Sequence, residues 1–355
     1  MSSPVLVRSH QELVTLLSRP KAGAVCAIDT EADSLHRYRE SLCLVQFACE
    51  DEKVLIDPLE IDDLGPLGEF LSSRPVWMHG ADYDMTMLRR SFGVLPPEVF
   101  DTQIGARLLG VRKFGLANLV ELYFGVTLSK SSQKADWGKR PLSPKMMDYA
   151  LNDVRYLLPM GEEICRQLKE KGRYDWFLES CEAARLKVLE RDETRDDPWR
   201  IQGSGRLDRA GLNYLKTLWE WRDVEAAAWD RPSFMVVTNR QLIDWSLTLA
   251  QGRHFEVPPH YRPDRRKRLA DALEQARAKD SGEWPEKPRG LRRKRDPEFD
   301  ARVAALVSLR DSRGRELDID SSLIAPRSVI ESIADGETSP EESLLKWQRE
   351  CLSLD

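Results

Sequence analysis

Several features that would assign this chain to a class are missing. No apolar run approaches the roughly 20 residues that a bilayer-spanning helix needs, which argues against a helical membrane protein. The first ten residues, MSSPVLVRSH, lack a basic segment followed by a long apolar one, so no secretory signal is expected. The six cysteines, at positions 26, 43, 49, 165, 181 and 351, form no CxxC pair. Cys26 and Cys43 sit inside apolar runs and read as small core residues, so a reducing, cytoplasmic setting is expected. An excess of positive charge is also missing: 54 Lys/Arg against 59 Asp/Glu give a net charge of −5, which by itself argues against a nucleic-acid binder.

What is present fills a chain of 355 residues, enough for two or three domains. Hydrophobic residues are 41% and charged residues 32%, with a mean hydropathy of −0.49, so a sizeable core and a well-charged surface are both expected. The charge is uneven. Residues 262–295 hold 13 Lys/Arg against 6 Asp/Glu, including RPDRRKR and RGLRRKR. Composition alone favours a solvated linker and helix face over a phosphate-attracting patch.

Up to about residue 160, short apolar runs alternate with helical patterns. AVCAI, SLCLVQFA, KVLI and PVWMH read as strands. SHQELVTLLS, DDLGPLGEFLSS, YDMTMLRRSFG and TQIGARLLG read as helices. The pattern predicts a mixed sheet with flanking helices, its first three runs forming a meander. Beyond residue 160 the strand signals vanish, and a polar Pro- and Gly-containing stretch at about 192–206 reads as a linker. An internal repeat follows, at 87–88 residues with one slip. Arg222-Asp223 and Arg310-Asp311 each end a helix, each precedes a polar stretch and a short apolar group, and each leads into a new helix at Arg240 or Arg327. Two small helical modules are predicted, with the basic stretches flanking their junction.

Three acidic constellations stand out. In AGAVCAIDTEAD an apolar strand ends in Asp29 and Glu31, two residues apart and therefore on one face. Two carboxylates in one small volume are costly unless a divalent ion compensates them, and Mg²⁺ prefers carboxylate oxygens. Taken alone, DTE reads as a strand running into a solvated acidic turn, since the tripeptide is common. In SPKMMDYALNDVRYLLP, Ser143 caps a helix, Pro144 suits its first turn and Pro159 is expected to end it. Its core stripe is Met146, Ala150, Val154 and Leu157, and beside the stripe stand Tyr149 and Asp153, four apart. In VWMHGADYDMTML, Gly80 turns the chain and Asp84 stands in a first helical turn, where a negative charge is favourable anyway. His79 reads as a structural hydrogen-bonder.

The order D-x-E, then Asp about 53 residues on, then Y-x(3)-D about 65 residues later, resembles the DEDD exonuclease superfamily and, within it, the ribonuclease D family. The matching residues are Asp29 and Glu31, Asp84, and Tyr149 with Asp153. A related subclass has His five positions before the last Asp. Here that position is Asp148 and Tyr149 follows, which indicates the tyrosine subclass. KADWGKRPLSPKMMDYALNDVRYL is similar to the family throughout, and the helical modules resemble HRDC domains. Many family members carry Asn before the second motif's Ala-Asp, where this chain has Gly80.

The resemblance implies a ribonuclease H-like α/β exonuclease domain over 1–195 and two all-α HRDC-like domains over 206–283 and 296–355. It implies a metal-dependent 3′→5′ exoribonuclease, releasing nucleoside 5′-monophosphates from single-stranded 3′ ends of RNA precursors such as tRNA. Two divalent ions, Mg²⁺ or Mn²⁺, are implied, with Asp29, Glu31 and Asp153 at one and Asp29 and Asp84 at the other. Tyr149 would orient the attacking water. Thr30, Leu35, Trp137 and Arg140 are candidate substrate contacts, although Trp137 reads equally as a buried aromatic. A monomer in the cytoplasm, with no membrane partner, is expected. A DNA exonuclease with the same site is the alternative enzyme. A non-catalytic nucleic-acid-binding protein is the alternative class, disfavoured because all five motif residues are present. Asp33 continues the i, i+2 pattern but belongs to no motif and is predicted to lie outside the metal shell.

Overall fold

The computed structural model describes residues 5–129, 131–191, 197–287 and 297–354. They form two compact units, one of residues 5–32, 42–191 and 297–354, the other of residues 33–41 and 197–287. The basic stretch at 289–295 and the linker residues 192–196 lie outside the described residues.

The first unit is built on a six-stranded mixed sheet. Its strands are β1 (Val5–Val7), β2 (Cys26–Ala32), β3 (Leu42–Cys49), β4 (Glu52–Ile56), β5 (Val76–Met78) and β6 (Val99–Asp101), in the order β1-β4-β3-β2-β5-β6. β2, β3 and β4 form the expected antiparallel meander, while β1 joins β4, β5 joins β2 and β6 joins β5, each in parallel. β3 is buried along its whole length, which is why it reads as a continuous apolar run rather than an alternating one.

Helices cover both faces. The first eight are α1 (His10–Leu17), α2 (Gly65–Ser72), α3 (Asp82–Phe92), α4 (Thr102–Leu108), α5 (Leu116–Phe124), α6 (Pro144–Arg155), α7 (Leu157–Glu170) and α8 (Tyr174–Leu189). On one face Cys26, Ile28, Val45 and Phe47 pack with Leu13 of α1, Leu67 of α2 and Met85 of α3. On the other, Ala27, Ala48 and Trp77 pack with Met160 and Ile164 of α7. Leu44 and Leu55 there meet Trp137 and, from α6, Ala150 and Leu151. This alternation along β2 puts Asp29, two residues beyond Ala27, on the face that α6 and α7 cover.

Pro159 does not end α6. The helix stops at Arg155, and Pro159 sits in the first turn of α7, where its missing N–H would have had no intrahelical partner.

The second unit holds α9 (Arg209–Trp229), α10 (Ser233–Val236), α11 (Asn239–Ala250) and α12 (Pro263–Ala278). Tyr38 joins its core and donates its hydroxyl to Asp223 at 2.8 Å. The first unit ends in α13 (Pro297–Glu316), α14 (Arg327–Ala334), α15 (Pro340–Ser343) and α16 (Lys346–Leu352). The sequence repeat corresponds to a shared contact. Arg222 of α9 donates to the Val237 carbonyl at 3.3 Å, and Arg310 of α13 donates to the Ala325 carbonyl at 3.2 Å. Donor and acceptor are displaced by the same number of residues, so the Arg of each Arg-Asp pair ties a long helix to the turn that starts the next one.

α7 lies close against the sheet because residue 161 is glycine. A Cβ at Gly161 would stand 2.5–2.7 Å from ring atoms of Trp77. Gly161→Ala is therefore expected to lower stability by about 1–3 kcal/mol, as overpacking does. A thermal melt checks this; an unchanged midpoint would show that the ring has room to shift.

Candidate active site

β2 carries its acids out of a fully buried segment: Cys26, Ala27 and Ile28 are inaccessible, whereas Asp29 and Glu31 are half-buried at the edge of the packed region. The strand is fixed on both sides, with Asp29 opposite Gln46 and Glu31 opposite Leu44 on β3. α6 lies over this face, its start held by Ser143, whose hydroxyl accepts the Met146 N–H at 3.2 Å. Ala150 and Val154 bury one stripe of α6, and Asp153 emerges beside it. The result is a group of three carboxylates, Asp29, Glu31 and Asp153, each offering an oxygen within 4.8 Å of the others.

Asp84 approaches from α3. Its Oδ1 accepts the Thr30 N–H at 3.0 Å and the Thr30 hydroxyl at 2.5 Å. Thr30, a candidate substrate contact by sequence, is 6% exposed and spends its hydroxyl on this carboxylate. The turn before α3 is fixed by a buried acid that the sequence reading passed over. Asp101 accepts the N–H groups of Gly80 at 2.9 Å, Ala81 at 3.0 Å and Gln103 at 2.7 Å. Its position at a helix N-cap, in FDTQ, is the signal that could have found it. Gly80 has φ +66°, a left-handed conformation that Gly adopts freely and Asn tolerates better than most residues, which accounts for either residue at this position. His79 is structural as expected, with Nδ1 2.9 Å from the Thr102 hydroxyl.

The remaining candidates separate. Trp137 is 2% exposed in the core under α6, its ring centroid 6.1 Å from that of Tyr149. Arg140 binds the fully buried Asp57 through Nε at 2.6 Å and Nη2 at 2.5 Å, and donates to the carbonyls of Trp137 and Cys43 at 2.7 Å. Its guanidinium fastens the 136–142 loop to the sheet and is consumed within the chain. Leu35 is exposed on the 33–41 stretch, which belongs to the second unit. Asp33 is not one of the clustered acids; its carboxylate accepts the Ser41 N–H at 2.7 Å.

Among the described residues, no cation lowers the proton affinity of these four carboxylates, and the donors that do are the Thr30 groups and the backbone N–H of Asp84, all at Asp84. Their proton affinities follow. Burial, then the charges of Asp84, Asp153 and Glu31, push Asp29 well above the ordinary aspartate range. Burial, then Asp153 and Asp84, push Glu31 up to about 9. Burial, then Asp84, pushes Asp153 up to about 7. Asp84 is also pushed up to about 7, by burial and against the pull of the Thr30 hydrogen bonds. Burial and the neighbouring acids raise Tyr149 as well, so it remains a phenol at neutral pH. A buried set of oxygen-only donors with unbalanced negative charge fits a hard divalent cation such as Mg²⁺ or Mn²⁺.

This crowding has a pH signature. Glu31 holds its proton more tightly folded than unfolded, so metal-free stability is full below the ordinary value of 4.5 and is lost as pH rises toward 9. Glu31→Gln removes that penalty. The variant should melt a few degrees above the wild type at pH 9 without metal, with the difference vanishing as pH falls toward 4.5, as followed by circular dichroism. A constant difference across that range would contradict the assignment of the penalty to ionisation.

Comparison with known proteins identifies the family. Residues 4–171 match the family model of a 3′-5′ exonuclease. Ribonuclease D of Xanthomonas oryzae is 32% identical over 98% of this chain and 96% of its own length. Ribonuclease D of Zymomonas mobilis is 30% identical over 97% of this chain and 90% of its own. The crystal structure of Escherichia coli RNase D, described as an exoribonuclease involved in structured RNA processing, superposes with a TM-score of 0.76 at 26% identity, covering 99% of this chain and 97% of that one. The chain thus belongs to the ribonuclease D family and is a 3′-5′ exoribonuclease.

Proposed function

We propose that the chain trims the 3′ ends of RNA precursors such as tRNA with two divalent ions, from a site made by Asp29, Glu31, Asp84 and Asp153. The observation that carries this reading is the convergence of Asp29, Glu31 and Asp153 within 4.8 Å, with no cation among the described residues lowering their proton affinities. Bound divalent ions supply a hydroxide-like nucleophile at neutral pH and neutralise charge on the phosphate and the leaving oxygen. Asp29, Glu31 and Asp153 would hold one ion. Asp29, and Asp84 through water, would hold the other, with Thr30 fixing the Asp84 carboxylate. Tyr149, kept as a phenol, orients the attacking water through its hydroxyl rather than removing its proton. Attack on the terminal phosphodiester breaks the bond between phosphorus and the 3′ oxygen, the proton passes to that oxygen, and a nucleoside 5′-monophosphate leaves.

The exonuclease domain is assigned to 1–195 and HRDC-like modules to 206–283 and 296–355. The paired contacts Arg222 to Val237 and Arg310 to Ala325 support a common origin for the two modules. A cleft of about 320 Å³ in the second unit supports a role in RNA contact. Trp229 is 47% exposed there with the Arg265 guanidinium 5.0 Å over its ring, and exposed Arg262 stands beside it. An exposed aromatic among arginines suits a stacked base and its phosphate. A cytoplasmic monomer is part of the same proposal, and the six free cysteines support the reducing setting.

The test is degradation of labelled single-stranded RNA and DNA of one sequence, with Mg²⁺, by wild type and Asp29→Asn. Wild type should release 5′-monophosphates from RNA faster than from DNA, and Asp29→Asn should be more than about 100-fold slower, beyond the usual effect of losing an outer hydrogen-bond partner. Equal activity of the two proteins would refute the site; faster loss of DNA would refute the substrate class. Trp229→Ala, in the same experiment, should weaken RNA binding by about 1–3 kcal/mol, the usual worth of one stacked base.

A further inference from the structure

Every residue of β3 is apolar except Gln46. Gln46 is 0% exposed, and neither its amide nitrogen nor its amide oxygen has a hydrogen-bond partner among the described residues. A buried amide without partners is costly, and a strand otherwise made of Leu, Val, Phe, Ala and Cys has no packing reason to hold one. Its position is specific. Gln46 is the register partner of Asp29 across the antiparallel β2–β3 pair. Residues directly opposite in such a pair project to the same face with Cβ atoms about 4.5–5.5 Å apart. That face is the one where Leu44 packs under α6, the helix that brings Tyr149 and Asp153.

Asp29 has the complementary deficiency. Asp84 receives two hydrogen bonds from Thr30, whereas no donor among the described residues reaches the Asp29 carboxylate. The carboxylate assigned to both ions thus lacks a supporting hydrogen bond, as Glu31 and Asp153 do, and of the three it is Asp29 that stands opposite Gln46. Carboxylates that bind a metal are ordinarily held by such a bond, which fixes the lone pair they present.

We propose that Gln46 is a positioning residue of the metal site, its Nε2–H donating to the Asp29 carboxylate when a divalent ion is bound. The proposal rests on the two-ion reading above and adds a residue to it. An amide suits the task because it donates without adding charge, where Lys or Arg would neutralise the carboxylates and compete with the ion. Its Oε1 remains available to a water ligand of the ion.

The test is titration calorimetry of the full chain with Mn²⁺, comparing wild type, Gln46→Leu and Asp29→Asn, with melts in the absence of metal. Gln46→Leu should melt at or above the wild-type temperature, since it removes an unpartnered amide, and should bind Mn²⁺ about 10–100-fold more weakly. Its exonuclease activity at saturating Mn²⁺ should recover toward wild type while the half-saturating Mn²⁺ concentration stays raised. Unchanged Mn²⁺ affinity in Gln46→Leu, with affinity lost in Asp29→Asn, would overturn the role of Gln46 and leave the site intact. Undiminished affinity in Asp29→Asn would overturn the site itself. Gln46→Met, unbranched and similar in length, is the second variant; if neither variant folds, the amide serves the core and the proposal fails.

Discussion

Four carboxylates held too close for their own charge are the constraint to which the rest of the first unit answers. Left to itself, a strand ending in Asp-Thr-Glu would splay its acids into water. Here the strand is clamped by β3 on one side and β5 on the other, and its preceding residues are buried on both faces, so the acids have nowhere to retreat. Asp153 is brought against them by a helix whose buried stripe cannot rotate without exposing Ala150 and Val154. Asp84 is restrained by Thr30, and the turn before its helix by Asp101. Packing energy, distributed over the sheet and its helices, opposes a concentrated electrostatic repulsion. The raised proton affinities of Asp29, Glu31, Asp84 and Asp153 are the record of that opposition.

The C-terminal segment takes part in this scaffold. Arg173, at the start of α8, donates to the Leu108 and Leu317 carbonyls, both at 2.7 Å, joining α4 to the end of α13. Glu179 of α8 accepts the Lys346 N–H at 2.6 Å, and Trp176 stacks on Trp347 at 4.9 Å between centroids. Residues 297–354 therefore share a core with the nuclease sheet, whereas residues 197–287 form a unit of their own with 33–41. Two segments with the same internal Arg-to-carbonyl contact thus have different roles: one is built into the sheet's helical layer, and the other keeps a separate core.

Much of this was legible in the sequence because it depends on local period and spacing. Asp29 and Glu31 share a face by the period of two, and Ser143 with Pro144 marks the start of α6. β1 and β6 escaped notice: three residues are too few to show alternation, and the equally short β5 was legible only as the apolar run in PVWMH. Pro159 misled because a proline marks a helix boundary without saying on which side the next helix begins. Arg140 read as a substrate contact because spacing cannot show that Asp57, 83 residues away, already holds it. Thr30 was noticed for its place in the motif, yet its partner Asp84 is 54 residues off. Gln46, the one polar residue in LCLVQFAC, was visible in the string; only the register with Asp29 gives it meaning.

The most direct measurement is the anomalous difference map of crystals grown with Mn²⁺. If the buried acids are a cation site, a Mn²⁺ peak should lie among the carboxylate oxygens of Asp29, Glu31 and Asp153 and be absent from Asp29→Asn crystals. Ordered crystals at neutral pH with these three carboxylates in place, millimolar Mn²⁺ and no peak between them would contradict the account.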